Sequence, residues 1–211
     1  MPIIYGLVGA PSNNSAADGS NQPMLQGKAG EVIASELRGK FFTGNYRGRL
    51  FGAGVTAQTI PVVTTTMVSV FTLYNPPGSG INMEMVETTL GASLATTVVN
   101  TYGWYYTLPA ATAAGTFTTK GTAQSGLAGS GLTGIGQFFS AYTAATGVTP
   151  TRCDVIGATG GVVNATATII TKVYDGRLII PPGIAMSIAG QIAAGPATGT
   201  DIWASWLEWA V

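Results

Sequence analysis

The sequence contains no histidine, one cysteine, and only nine basic and nine acidic residues in 211. Each shortage removes a class of chemistry. Without histidine there is no Ser-His-Asp triad, no Cys-His pair and no imidazole metal ligand. Cys153 alone makes neither an internal disulfide nor a thiolate metal cage. Charged residues are 9% of the chain, against about 25% in an ordinary soluble domain. The formal net charge is zero, whereas nucleic-acid binding rests on an excess of cations that neutralise phosphates. No unbroken apolar run reaches the roughly 18 residues of a membrane span. Met1–Ala10 lacks the basic start of a secretory signal.

What remains is rich in apolar, glycine and turn-forming residues. At 46% hydrophobic residues the composition is not that of a disordered chain. So few charges protect a monomer poorly against association. Two readings follow: a soluble protein coated with Ser, Thr and Asn, or a protein whose surface is covered by partners.

Residues 1–27 read as an extended arm, with turn chemistry at Pro11-Ser-Asn-Asn-Ser15 and Asp18-Gly-Ser-Asn-Gln-Pro23. Lys28, Arg38, Lys40, Arg47 and Arg49 follow, opposed only by Glu31 and Glu36. Five cations against two anions make this stretch +3 and the remainder −3. Residues 31–40 suit either a short helix or a strand. Phe41, Phe42, Tyr46 and Phe51 are interleaved with the basic residues, so residues 1–50 read as an anchored arm. Arg38, Lys40, Arg47 and Arg49 are the candidate docking cations, with Phe41, Phe42, Tyr46 and Phe51 as anchors, on an acidic protein surface. Nucleic-acid contact through stacked rings is disfavoured by Glu31 and Glu36. A solvated segment is the plain alternative.

Residues 51–211 read as β structure. Thr64–Tyr74 is rich in Thr and Val and ends at Asn75-Pro-Pro-Gly-Ser-Gly80. Ile81, Met83 and Met85 alternate with polar residues. Further strands are expected at Val98–Leu108, Ile135–Thr143, Arg152–Ile156 and from Ala165 to Val173. Asp175-Gly176 is a hairpin signal. Leu178-Ile-Ile-Pro-Pro-Gly183 closes a short strand. In Asp201–Val211, Trp203, Leu207, Trp209 and Val211 share one parity. If they face the core, Trp206 and Glu208 face a neighbouring subunit or solvent. About ten short strands without a long helix indicate an all-β, antiparallel, jelly-roll-like sandwich behind an N-terminal arm.

Catalytic signals are weak. Gly129-Ser-Gly131-Leu-Thr-Gly134 matches a dinucleotide fingerprint, but the preceding strand and following helix that this motif needs are missing. It reads as a loop. Glu84 and Glu87, three residues apart on a strand, should point to opposite faces. Asp154, Asp175 and Asp201 adjoin turns and read as local caps. Cys153 reads as a small buried core residue. Tyr102, Trp104, Tyr105 and Tyr106 fit either core and interface or a sugar-stacking platform. No cofactor or metal is expected.

The combination of a polar arm, Glu36-Leu-Arg-Gly-Lys-Phe-Phe, Tyr46-Arg-Gly-Arg-Leu-Phe51, Leu73-Tyr-Asn-Pro-Pro-Gly-Ser-Gly80, Leu178-Ile-Ile-Pro-Pro-Gly183 and a Trp-rich last strand resembles jelly-roll head decoration (cement) proteins of tailed bacteriophages. The resemblance implies a non-enzymatic virion protein. It would bind the major capsid protein on the capsid exterior as a homotrimer and stabilise the head. The alternative is a receptor- or glycan-binding knob of a phage tail or head fibre, working through Tyr102–Tyr106 or the loop Gly126–Gly136.

Overall fold

The computed structural model describes residues 6–7, 24–25, 40–63, 68–92, 100–107, 115–144, 150–159, 168–191 and 197–211. Two compact units are present, Met1–Phe42 and Thr43–Val211. In the first, β1 (Gly6–Leu7) pairs in parallel with β2 (Met24–Leu25). Arg38 and the helix-or-strand alternative for residues 31–39 lie outside the described residues. The short helix α1 (Phe42–Tyr46) spans the boundary. The division falls at 42/43 instead of 50/51, because the basic stretch continues directly into a long strand.

The second unit is an antiparallel β-sandwich. Its strands are β3 (Leu50–Ile60), β4 (Val68–Ser69), β5 (Thr72–Tyr74), β6 (Ile81–Ala92), β7 (Asn100–Thr107), β8 (Thr116–Gly121), β9 (Gln124–Ser125), β10 (Gln137–Thr143), β11 (Thr151–Thr159), β12 (Thr168–Val173), β13 (Ile179–Ile180), β14 (Ala185–Gly190) and β15 (Ala197–Ala210). One sheet has the order β12-β6-β15-β3-β9, with β13 also on β6. The other has the order β11-β7-β14-β5-β10-β4, with β8 also on β10. Strands β3, β6, β12 and β15 thus interleave in sequence with β5, β7, β11 and β14, which is jelly-roll order. β8, β9 and β10 are added between β7 and β11.

The inner faces meet in one core of Phe51, Phe71, Leu73, Met83, Met85, Trp104, Ile188 and Trp206, among others. Burial of such side chains contributes about 25 cal/mol per Å² of apolar surface removed from water. Tyr174, also buried, holds the Trp104 indole: Trp104 Nε1 donates to Tyr174 Oη at 2.9 Å and to Thr88 Oγ1 at 3.2 Å. A second cluster of Tyr105, Tyr142, Ala144, Ala185 and Ala189 lies apart from this core. Every residue of β14 is buried, so this central strand is covered on both faces. Small side chains at Ala185, Ser187 and Ala189 suit the second face.

The two Pro-Pro-Gly turns meet at Asn75. Asn75 Nδ2 donates to Ile81 O at 2.8 Å and to Ile180 O at 2.9 Å. Gly183 N donates to Asn75 O at 2.7 Å. One buried amide therefore satisfies carbonyls from both turns, as burial of polar groups requires.

Three local expectations are corrected. First, Asp175-Gly176 does form a turn, with φ of 46° and 79°. Yet β12 and β13 do not pair with each other, because both run along β6. The turn is an excursion within one sheet position, spanned by Tyr174 N to Val86 O and Met85 N to Leu178 O, each 2.9 Å. Second, Glu84 and Glu87 share the outer face of β6. The register slips between Ser205↔Glu87 and Trp206↔Met85, leaving Val86 as the extra residue of a bulge. Third, the parity of β15 is reversed. Ile202, Ala204, Trp206 and Glu208 point inward, and Trp206 is fully buried. Trp206 and Glu208 therefore do not form an exposed surface. The outward residues differ: Trp203 is 42% exposed with its indole lying across Gly52 and Gly54, whereas Leu207 is buried against Gly44 of α1.

Candidate docking surface

α1 and the glycine-rich loop Gly126–Gly136 come together at one end of the sandwich. Asn45 Nδ2 donates to Gly126 O at 3.3 Å, and Gly126 N donates to Leu50 O at 2.8 Å. Gly48, at φ 67°, takes a left-handed conformation that a side chain rarely adopts. A Cβ there would also strike Leu132. β9 then anchors the start of the loop to β3 through Phe51↔Ser125 and Gly52↔Gln124. The end of the loop is held by Glu208, which accepts from Ile135 N and Gly136 N, each at 2.9 Å.

This assembly leaves large apolar side chains in solvent beside a cation. Tyr46 is 60% exposed, Leu132 46%, Ile135 50% and Leu127 40%. Arg47 is exposed on the same turn as Gly48. The Arg49 guanidinium lies 5.3 Å from the Trp209 ring centroid, a cation–π contact.

The candidate docking residues are thus dispersed. Lys40 and Phe41 belong to the first unit, where the Lys40 ammonium lies 5.3 Å from the Phe41 ring centroid. Phe42 begins α1. Tyr46, Arg47 and Arg49 belong to the sandwich. Phe51 is corrected from exposed anchor to core residue: it is 3% exposed, with its ring centroid 6.4 Å from that of Trp206. Leu127, Leu132 and Ile135 were absent from the expected docking set. Their signal was present, since three aliphatic residues in a Gly-Ser loop have no core to fill.

The aromatic platform is corrected as well. Tyr102, Trp104 and Tyr105 are all buried, and Tyr106 is half-buried against the core. The glycine fingerprint is a loop with Gly129 and Gly131 at positive φ, followed by β10 and not by a helix. An open cleft of about 260 Å³ adjoins the loop, and Lys120 is the charged residue in its lining.

Several of the carboxylates hold structural contacts. Asp154 pairs with Lys172 at 2.7 Å and accepts from Val155 N. Asp201 accepts from Ala57 N, and Glu84 from Trp209 Nε1, both at 2.9 Å. Among the described residues, no group of three or more His, Cys, Asp or Glu side chains is placed to hold a metal ion. Cys153 is corrected from a core residue to an exposed one on β11; desolvation of its thiol, reinforced by the Asp154 charge, still pushes it up to about 11. Its Sγ donates to Trp104 O at 3.3 Å. A thiol so rarely ionised at neutral pH is a poor nucleophile.

Comparison with models of protein families, with curated proteins and with solved structures finds no match to this chain.

Proposed function

We propose that this chain is a non-enzymatic virion structural protein, a head decoration protein that binds the major capsid protein on the capsid exterior as a homotrimer. The observation that carries the reading is the set of exposed apolar side chains Tyr46, Leu127, Leu132 and Ile135 on α1 and the loop bonded to it, with Arg47 next to Tyr46 in the chain, in a protein with very few charges. Exposed apolar side chains accompanied by a cation suit a large protein surface that is apolar and acidic. Burying a largely neutral surface avoids the desolvation cost of charged groups. Several such patches in one oligomer bind with high effective concentration, even where each is weak. The resemblance in the turns and the last strand points to the same class, now on a jelly-roll sandwich.

The test is co-sedimentation of the purified protein with phage heads that lack it. Arg47→Glu and Leu132→Ser, both at exposed positions, should fold normally and lower particle binding by about tenfold each, the loss of one or two interface contacts. Full-strength binding by both folded variants would overturn this docking surface.

A further inference from the structure

Glu208 occupies an inward position of β15 and is 8% exposed. Burying a carboxylate is costly unless its oxygens are compensated. Among the described residues no lysine or arginine forms an ion pair with it; the compensation comes from three N–H groups. Ile135 N donates to Oε2 at 2.9 Å, Gly136 N to Oε1 at 2.9 Å, and Trp206 Nε1 to Oε1 at 3.2 Å. The loop is shaped around this carboxylate. A Cβ on Gly134 would meet Glu208 Oε1 at 2.6 Å, and one on Gly136 would meet it at 3.0 Å. On its backbone side, Glu208 N donates to Arg49 O at 2.9 Å. One residue therefore ties the last strand both to the loop and to the segment that follows α1.

We infer that Glu208 is the positioning residue of the docking surface. Its carboxylate fixes the turn at residues 133–136 and thereby sets two exposed apolar side chains of the loop, Leu132, which lies against Gly48, and Ile135. It does not touch the partner. The functional half of this inference rests on the docking reading above; the latch itself rests on geometry alone. An ionised carboxylate is acceptor-only and can receive all three N–H groups. A glutamine in its place presents one oxygen and one NH₂, so at least one loop N–H would face a donor.

The experiment uses the full chain, with residue-resolved amide hydrogen exchange and particle co-sedimentation measured together. Glu208→Gln should accelerate exchange at Ile135 and Gly136 by at least about tenfold, the loss of one charge-assisted hydrogen bond. The β15 amides of Ile202 and Ala204, away from the loop, should keep their protection, and particle binding should fall. Gly134→Ala disturbs the same contact from the loop side without altering the buried charge, and should act alike if Glu208→Gln folds poorly. Unchanged exchange at Ile135 and Gly136, or protection lost evenly along β15, would overturn the latch. If Arg47→Glu and Leu132→Ser weaken particle binding while Glu208→Gln does not, the positioning role fails. If those two surface variants bind fully, the docking reading is what fails.

Discussion

Tyr174 shows how a single side chain couples the core to solution conditions. Burial pushes its phenol up to about 12, with hydrogen bonds from Thr88 and Trp104 opposing the shift and nearby Asp154 adding to it. Below pH 10 the folded and unfolded chains both hold the proton, and the full stability contribution is present. Between pH 10 and about 12 the unfolded chain releases the proton and the folded chain does not. Stability is therefore lost as pH rises through that window, by roughly 2–3 kcal/mol for this group. Tyr142 shifts in the same direction, also through burial. The test is the difference in unfolding free energy between the wild type and Tyr174→Phe. It should be constant below pH 10 and shrink between pH 10 and 12. A difference that stays constant to pH 12 would show that Tyr174 does not titrate in this way.

At the scale of elements, β15 and β3 show how glycine and tryptophan share one sheet face. A Cβ on Gly54 would meet Trp203 Cε3 at 2.9 Å and the Ile202 carbonyl at 3.0 Å. Gly54→Ala should cost about 1–3 kcal/mol in urea unfolding, the usual range for overpacking. Adding Trp203→Ala should recover only the ring's share, because the carbonyl contact remains; full recovery in the double-mutant cycle would show that only the ring resists. The same pair explains why the parity of β15 was not legible. Alternation identifies a buried face only when the other face meets water. Here Trp203 lays part of its ring on glycines while staying 42% exposed, and Leu207 is buried by α1, so both parities carry large apolar residues. The reversed position of Glu208 had no local signal, since its three donors lie in a loop more than 70 residues upstream and at Trp206. Glu84 and Glu87 were misplaced for a related reason: the bulge at Val86 is a property of pairing with β15 and has no mark in β6 alone. By contrast, the strands and the Pro-Pro-Gly turns were legible, because β-branched runs and proline-glycine breaks act locally.

At the scale of the whole molecule, the charge asymmetry read from Lys28 to Arg49 disappears once the units are drawn. Met1–Phe42 holds Lys28, Arg38 and Lys40 against Asp18, Glu31 and Glu36, three of each sign. Thr43–Val211 holds six of each sign, with Arg47 and Arg49 now counted in the sandwich. The basic stretch is therefore two features joined in sequence, and truncation separates them. Removing residues 1–42 leaves every strand of the sandwich intact, and the remaining chain should unfold cooperatively in urea. Removing residues 1–50 strips away Gly44 from Leu207, the Asn45 bond to Gly126, the Arg49 carbonyl that accepts from Glu208 N, and the Leu50 carbonyl that accepts from Gly126 N. At about 1 kcal/mol for each lost contact, the shorter chain should be less stable by roughly 3–4 kcal/mol, with exchange accelerated first in the loop Gly126–Gly136. Equal stability of the two truncated chains would mean that α1 and Arg49 are an appendage after all, and would restore the boundary at residue 50.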